Sequence, residues 1–138
     1  MTADSFALLA IVILLLPMAY LLLAAPAFLL VRLDIPQVAR LLRGMFDAYY
    51  VALTIAGVFG TITFAIAGRP VFVVGIGLLL AFAIWARRWF LRQMDAQPPC
   101  NAEGARRMRQ LHWGGMLCNA VQLGAILLSI PYVMVSAA

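Results

Sequence analysis

AYYVALTIAGVFGTITFAIAGRPVFVVGIGLLLAFAIWARRWFL, Ala48 to Leu91, is two continuous apolar runs joined by Gly68, Arg69 and Pro70. A helix needs roughly 20 residues to cross a hydrocarbon layer about 30 Å thick, and each run is of that length. Neither run shows the alternation of a barrel strand. So short a joint allows only antiparallel neighbours, which predicts a tight helical hairpin. Thr54, Gly57, Gly60 and Thr61 on the first run and Gly75, Gly77 and Ala81 on the second recur at helical spacing. Small residues let backbones approach where lipid removes the hydrophobic drive between helices, so packing is expected at Gly57, Gly60, Thr61, Gly75 and Gly77.

Two further runs of spanning length flank the hairpin, Phe6 to Val31 and Leu111 to Val135. With 66% apolar residues and a mean hydropathy of +1.03, water is not the main solvent of this surface. The fold class expected is all-α, an integral membrane antiparallel four-helix bundle, with one membrane domain over residues 1–138 and spans at about 6–31, 48–67, 71–91 and 111–135. In the first span Pro17 and Pro26 remove backbone donors, and Tyr20 lies close enough to reach a freed carbonyl. Over about 36–47, Pro36 suits a first helical turn. Val38, Leu41, Leu42 and Met45 take one side there and Gln37, Arg40 and Arg43 the other, which predicts an amphipathic interfacial segment running into the second span. Phe46, Tyr49 and Tyr50 follow as an aromatic cluster at headgroup level. The connection over about 92–104, with Pro98, Pro99 and Asn101, reads as a cytoplasmic loop.

The net charge of +5 comes from ten bases, all arginine. Arg69 alone lies between the second and third spans, and the other nine fall in the first and third connections. Bases near span ends stay on the cytoplasmic side, so both termini are expected on the periplasmic or exterior side. The first span lacks a basic leader and reads as uncleaved. A multi-pass protein of the bacterial inner (cytoplasmic) membrane is the expectation. Its partners are anionic headgroups met by Arg40, Arg43, Arg87, Arg88, Arg106, Arg107 and Arg109, and not nucleic acid, because the bases flank spans and are interrupted by Trp85, Trp89 and Trp113.

The polar residues of the fourth span are not scattered. At 100° per residue, His112, Asn119, Gln122 and Ser129 share about a 100° sector, so one face should look into the bundle or into another protomer, as a helix contact or a ligand contact. Met108 and Met116 lie four residues either side of His112, a soft-ligand stripe for Cu(I) whose geometry is poor for a single site. One histidine excludes bis-histidine haem ligation within a protomer, and no metal or other cofactor is expected. Asp34, Asp47, Asp95 and Glu103 lie in connections beside arginines. Cys100 and Cys118 lie at different membrane levels, which disfavours a disulfide. No nucleophile stands beside a base, so no catalytic residue is assigned.

Arg40 to Tyr50 (RLLRGMFDAYY), Leu91 to Ala96 (LRQMDA) and Arg106 to Leu123 (RRMRQLHWGGMLCNAVQL) resemble, in order and spacing, the small four-helix proteins of domain of unknown function 4149, the transmembrane-protein-205-like family. The resemblance maps the family's phenylalanine with paired tyrosines onto Phe46, Tyr49 and Tyr50, its loop aspartate onto Asp95, and its leucine, histidine and asparagine onto Leu111, His112 and Asn119. Gly115 stands near where members often carry a serine. It implies a four-helix membrane fold and no established reaction. The function expected is a non-enzymatic helical module, a homo-oligomer or an accessory subunit of a membrane complex. The alternatives are a small oligomeric transporter or channel for a small or amphipathic solute, and a membrane redox or metal-handling protein using His112.

Overall fold

The computed structural model describes residues 3–32, 35–96 and 102–137. The chain is all-helical, with no strand among the described residues: α1 (Ala3–Ala24), a 3₁₀ turn (Ala25–Leu29), α2 (Pro36–Ile66), α3 (Pro70–Asp95) and α4 (Ala102–Ala137). All four α-helices are long and apolar enough to cross a membrane.

The segment over 36–47 runs into the second span as expected, forming the first turns of α2, which continues unbroken to Ile66. Pro36 starts it at a position where a missing N–H costs nothing, and Ala39 already donates to the Ile35 carbonyl at 3.1 Å. Ala39, Leu42, Met45 and Phe46 are buried on the stripe that Tyr49, Tyr50 and Leu53 continue, so tertiary packing carries the helix through its charged turns. In the same way α3 reaches Asp95 and α4 begins at Ala102, anchored by buried Met94 and Met108. The loop expected over 92–104 contracts accordingly. Its remainder, with Cys100, lies outside the described residues, as does Asp34.

The α2–α3 hairpin is made by a Schellman turn. Gly68 adopts φ +70°, and its N–H reaches the Ala65 carbonyl at 3.1 Å while that of Arg69 reaches Phe64 at 3.0 Å. This pair of bonds closes the orphan carbonyls of α2, and the left-handed φ favours glycine. Pro70 then opens α3.

α2 packs against both α1 and α3, and α4 packs mainly against α1. Side chains from α3 lie over the α2 glycines: a Cβ on Gly57 would sit 3.2 Å from Leu80 Cβ, and one on Gly60 3.4 Å from both Ile76 and Leu14. Within the chain a Cβ on Gly75 or Gly77 would meet nothing within 4 Å. Thr61 turns its hydroxyl back onto the Gly57 carbonyl of its own helix, at 2.8 Å. Because α3 and α4 touch little, a slot of about 490 Å³ lies between them, with Gly75 and Ile76 on one wall, Gln122, Ile126 and Ser129 on the other, and Leu14 of α1 at its floor.

Candidate functional site

The polar face of α4 divides in two. His112 and Asn119 are buried, at 0% and 1% exposure, whereas Gln122 and Ser129 are half-buried and line the slot. Asn119 Nδ2 donates to the Met18 carbonyl at 3.0 Å, and its Oδ1 accepts from the Tyr49 hydroxyl at 2.9 Å. One amide therefore ties α4 to both α1 and α2.

His112 Nε2 lies 2.8 Å from the Ala25 carbonyl. A carbonyl can only accept, so Nε2 carries the proton and Nδ1 presents a lone pair. That Nδ1 is buried and has no hydrogen-bond partner among the described residues. Phe28 and Phe46 meet the imidazole edge-on, with ring centroids at 6.0 and 5.8 Å. The contacts His112 to Ala25 and Asn119 to Met18 advance seven residues on α4 while receding seven from the start of the 3₁₀ turn into α1. Two antiparallel helices in constant register make both bonds, about 10.5 Å apart along the axis.

Pro17 cannot donate to the Ile13 carbonyl, nor Pro26 to that of Leu22, but the acceptors α4 uses are the Met18 and Ala25 carbonyls beside those prolines, not the freed ones. The α-helix gives way to the 3₁₀ turn at Ala25, and a donor from α4 enters at that carbonyl. Tyr20, by contrast, is exposed and makes no hydrogen bond to the described residues. It lines a groove between α1 and α2 instead of closing a freed carbonyl.

Gly115 is a site residue that sequence reasoning missed. A Cβ there would lie 2.4 Å from Phe46 Cε1, so the ring occupies the space a side chain would need. Phe46 in turn stacks on Phe90 with centroids 5.9 Å apart and planes 7° from parallel. No local pattern marks the pairing, because Phe46 reaches α4 from a different helix.

At the arginine-rich end, Arg43 makes a two-point pair with Asp95, Nε to Oδ1 at 2.6 Å and Nη2 to Oδ2 at 3.0 Å, and Arg87 pairs with Asp47 at 2.8 Å. Both pairs link α2 to α3. The guanidinium groups of Arg43 and Arg87, both expected at headgroups, thus each meet a carboxylate while staying part-exposed. Being part-exposed, each contributes about 0–1 kcal/mol. Arg107 reaches Gln93 at 3.4 Å, linking α4 to α3. Arg40, Arg88, Arg106 and Arg109 are exposed with no protein partner among the described residues. At the opposite end Arg69 Nη1 donates to the Val133 carbonyl at 2.9 Å, so an arginine ties the α2–α3 turn to α4.

Within the slot, Ser129 Oγ donates to the Ile126 carbonyl at 2.7 Å, while the Gln122 amide has no hydrogen-bond partner among the described residues. Met108 is buried and Met116 half-buried on either side of His112, and Cys118 is a free, half-buried thiol. Among the described residues no three His, Cys, Asp or Glu side chains come together. With Nε2 engaged, only Nδ1 of the ring retains an open lone pair. No protein-family model matches this chain, and comparison with curated proteins and with solved structures gives no significant match.

Proposed function

We propose that this chain is a non-enzymatic integral membrane module, working as a homo-oligomer or as an accessory subunit of a larger membrane complex. The arginine-rich end faces the cytoplasm and both termini the periplasm or exterior, in a bacterial inner membrane. The likeness to the domain of unknown function 4149 proteins belongs with this proposal, and it brings a fold and a location without a reaction.

The observation that carries the reading is the different fate of polar groups on one helix. His112 and Asn119 hold α4 to α1 and α2. Gln122 instead keeps an unpaired amide in an apolar slot. In hydrocarbon an amide needs a partner, and a second protein surface provides one. Interhelical hydrogen bonds in membranes average about 0.6 kcal/mol and reach about 1.7, so Gln122→Leu should weaken association about threefold to twentyfold while leaving monomer stability nearly unchanged. Förster transfer between labelled copies, titrated against lipid, reads the first, and thermal unfolding the second. A wild-type chain that stays monomeric at every protein-to-lipid ratio and crosslinks to no other membrane protein in its own membrane would reject the proposal.

The slot also supports a second reading, a pathway for a small or amphipathic solute, because its volume of about 490 Å³ is open beside Gln122 and Ser129. Proteoliposome flux at background across a broad solute panel would remove that alternative.

A further inference from the structure

Trp85, Arg88, Trp89 and Arg92 follow one another at i, i+3, i+4 and i+7, so they lie on one face of α3. That face is turned away from the bundle: Trp85 is 58% exposed and Trp89 37%, and both arginines are exposed. The two indoles stack with centroids 6.2 Å apart and planes 18° from parallel, and Phe82 extends the row at 5.9 Å from Trp85. One turn further up, the same face continues as exposed Leu78. Along this helix the surface thus changes in order from aliphatic to aromatic to cationic.

The guanidinium groups of Arg88 and Arg92 have no partner among the described residues. The carboxylates next to them are already committed, Asp47 to Arg87 and Asp95 to Arg43. What remains is two adjacent, uncompensated cations below an aromatic shelf. A planar guanidinium matches phosphate oxygens two at a time, and indoles settle at the glycerol level of a bilayer. From these placements we infer that the face Trp85–Arg88–Trp89–Arg92 is a binding site for one anionic phospholipid, its phosphate on Arg88 and Arg92, its glycerol region over the paired indoles and an acyl chain along Phe82 and Leu78. A second copy of the chain fits this face poorly, since a twofold contact would bring four arginines together.

The site exists only if the chain lies in a bilayer, as proposed above, and the experiment separates the two ideas. In a Trp113→Phe background, tryptophan fluorescence of the full chain reports only Trp85 and Trp89. The protein is reconstituted into phosphatidylcholine vesicles containing either phosphatidylglycerol or phosphatidylcholine with brominated acyl chains at equal mole fraction. Brominated phosphatidylglycerol should quench with about a tenfold higher association constant, the scale two basic groups near a screened surface provide. Arg88→Gln with Arg92→Gln should bring the ratio to about one. A ratio of one in the parent, a ratio the Arg88/Arg92 variant retains, or loss of the preference in millimolar glycerol phosphate would overturn the lipid site. Quenching by neither brominated lipid would instead sink the membrane reading itself.

Discussion

Alanine at Gly115 is expected to destabilise the chain by about 1–3 kcal/mol, whereas alanine at Gly124 on the same helix is expected to be neutral or to stabilise it by up to about 1 kcal/mol. The added Cβ at Gly115 would stand 2.4 Å from Cε1 and 2.7 Å from Cζ of Phe46, and the ring has nowhere to retreat. Phe46 is fully buried, stacked on Phe90, and edge-on to His112 with centroids 5.8 Å apart. Relief therefore requires α4 to back away from α2, which strains the bonds His112 and Asn119 make. At Gly124 a Cβ meets nothing within 4 Å, so only the backbone entropy of glycine is changed. Thermal or chemical unfolding of the two variants in the same detergent checks the difference. Phe46→Leu should recover part of the Gly115→Ala loss, because a smaller side chain vacates the position the methyl needs. Equal stability of the Gly115 and Gly124 variants would show that the Phe46 ring does not sit over α4 as described.

That contact also marks the limit of what the chain discloses on paper. The hairpin at Gly68 to Pro70 was readable because its signals are local: a glycine able to take positive φ, then a proline suited to open a helix. The polar sector of α4 was readable for the same reason, as period alone groups His112, Asn119, Gln122 and Ser129. Its division was not. At 100° per residue, Gln122 and Ser129 lie about 80° and 100° round the helix from His112, and Asn119 only about 20°. Whether that separation matters depends on α1 covering one flank and α3 standing off the other, which is a fact of packing. The ion pairs were hidden likewise. Arg43 with Asp95 and Arg87 with Asp47 are separated by 52 and 40 residues, and arginine beside aspartate in sequence names no partner. The run of α2 from Pro36 into the spanning part is legible, because the apolar stripe of its charged first turns is already that of the span.

Asn119→Leu should cost about 2 kcal/mol, although leucine nearly preserves volume and suits a membrane helix. The substitution removes a donor from the Met18 carbonyl and an acceptor from the Tyr49 hydroxyl, both inside the bundle. The carbonyl has its own helix to fall back on, so its loss is the smaller one. The hydroxyl does not, since Tyr49 is only 3% exposed and Asn119 is its hydrogen-bond partner in the structure. Tyr49→Phe removes that orphan. The double variant should therefore be more stable than the sum of the single changes allows, with a coupling of about 1 kcal/mol measured as a thermodynamic cycle by chemical unfolding. Strict additivity would mean that the 2.9 Å contact contributes nothing and that Asn119 acts through α1 alone. Gln122→Leu is the informative contrast. Its amide holds no helix of its own chain, so the same chemical change three residues along should leave unfolding almost untouched and appear only in association.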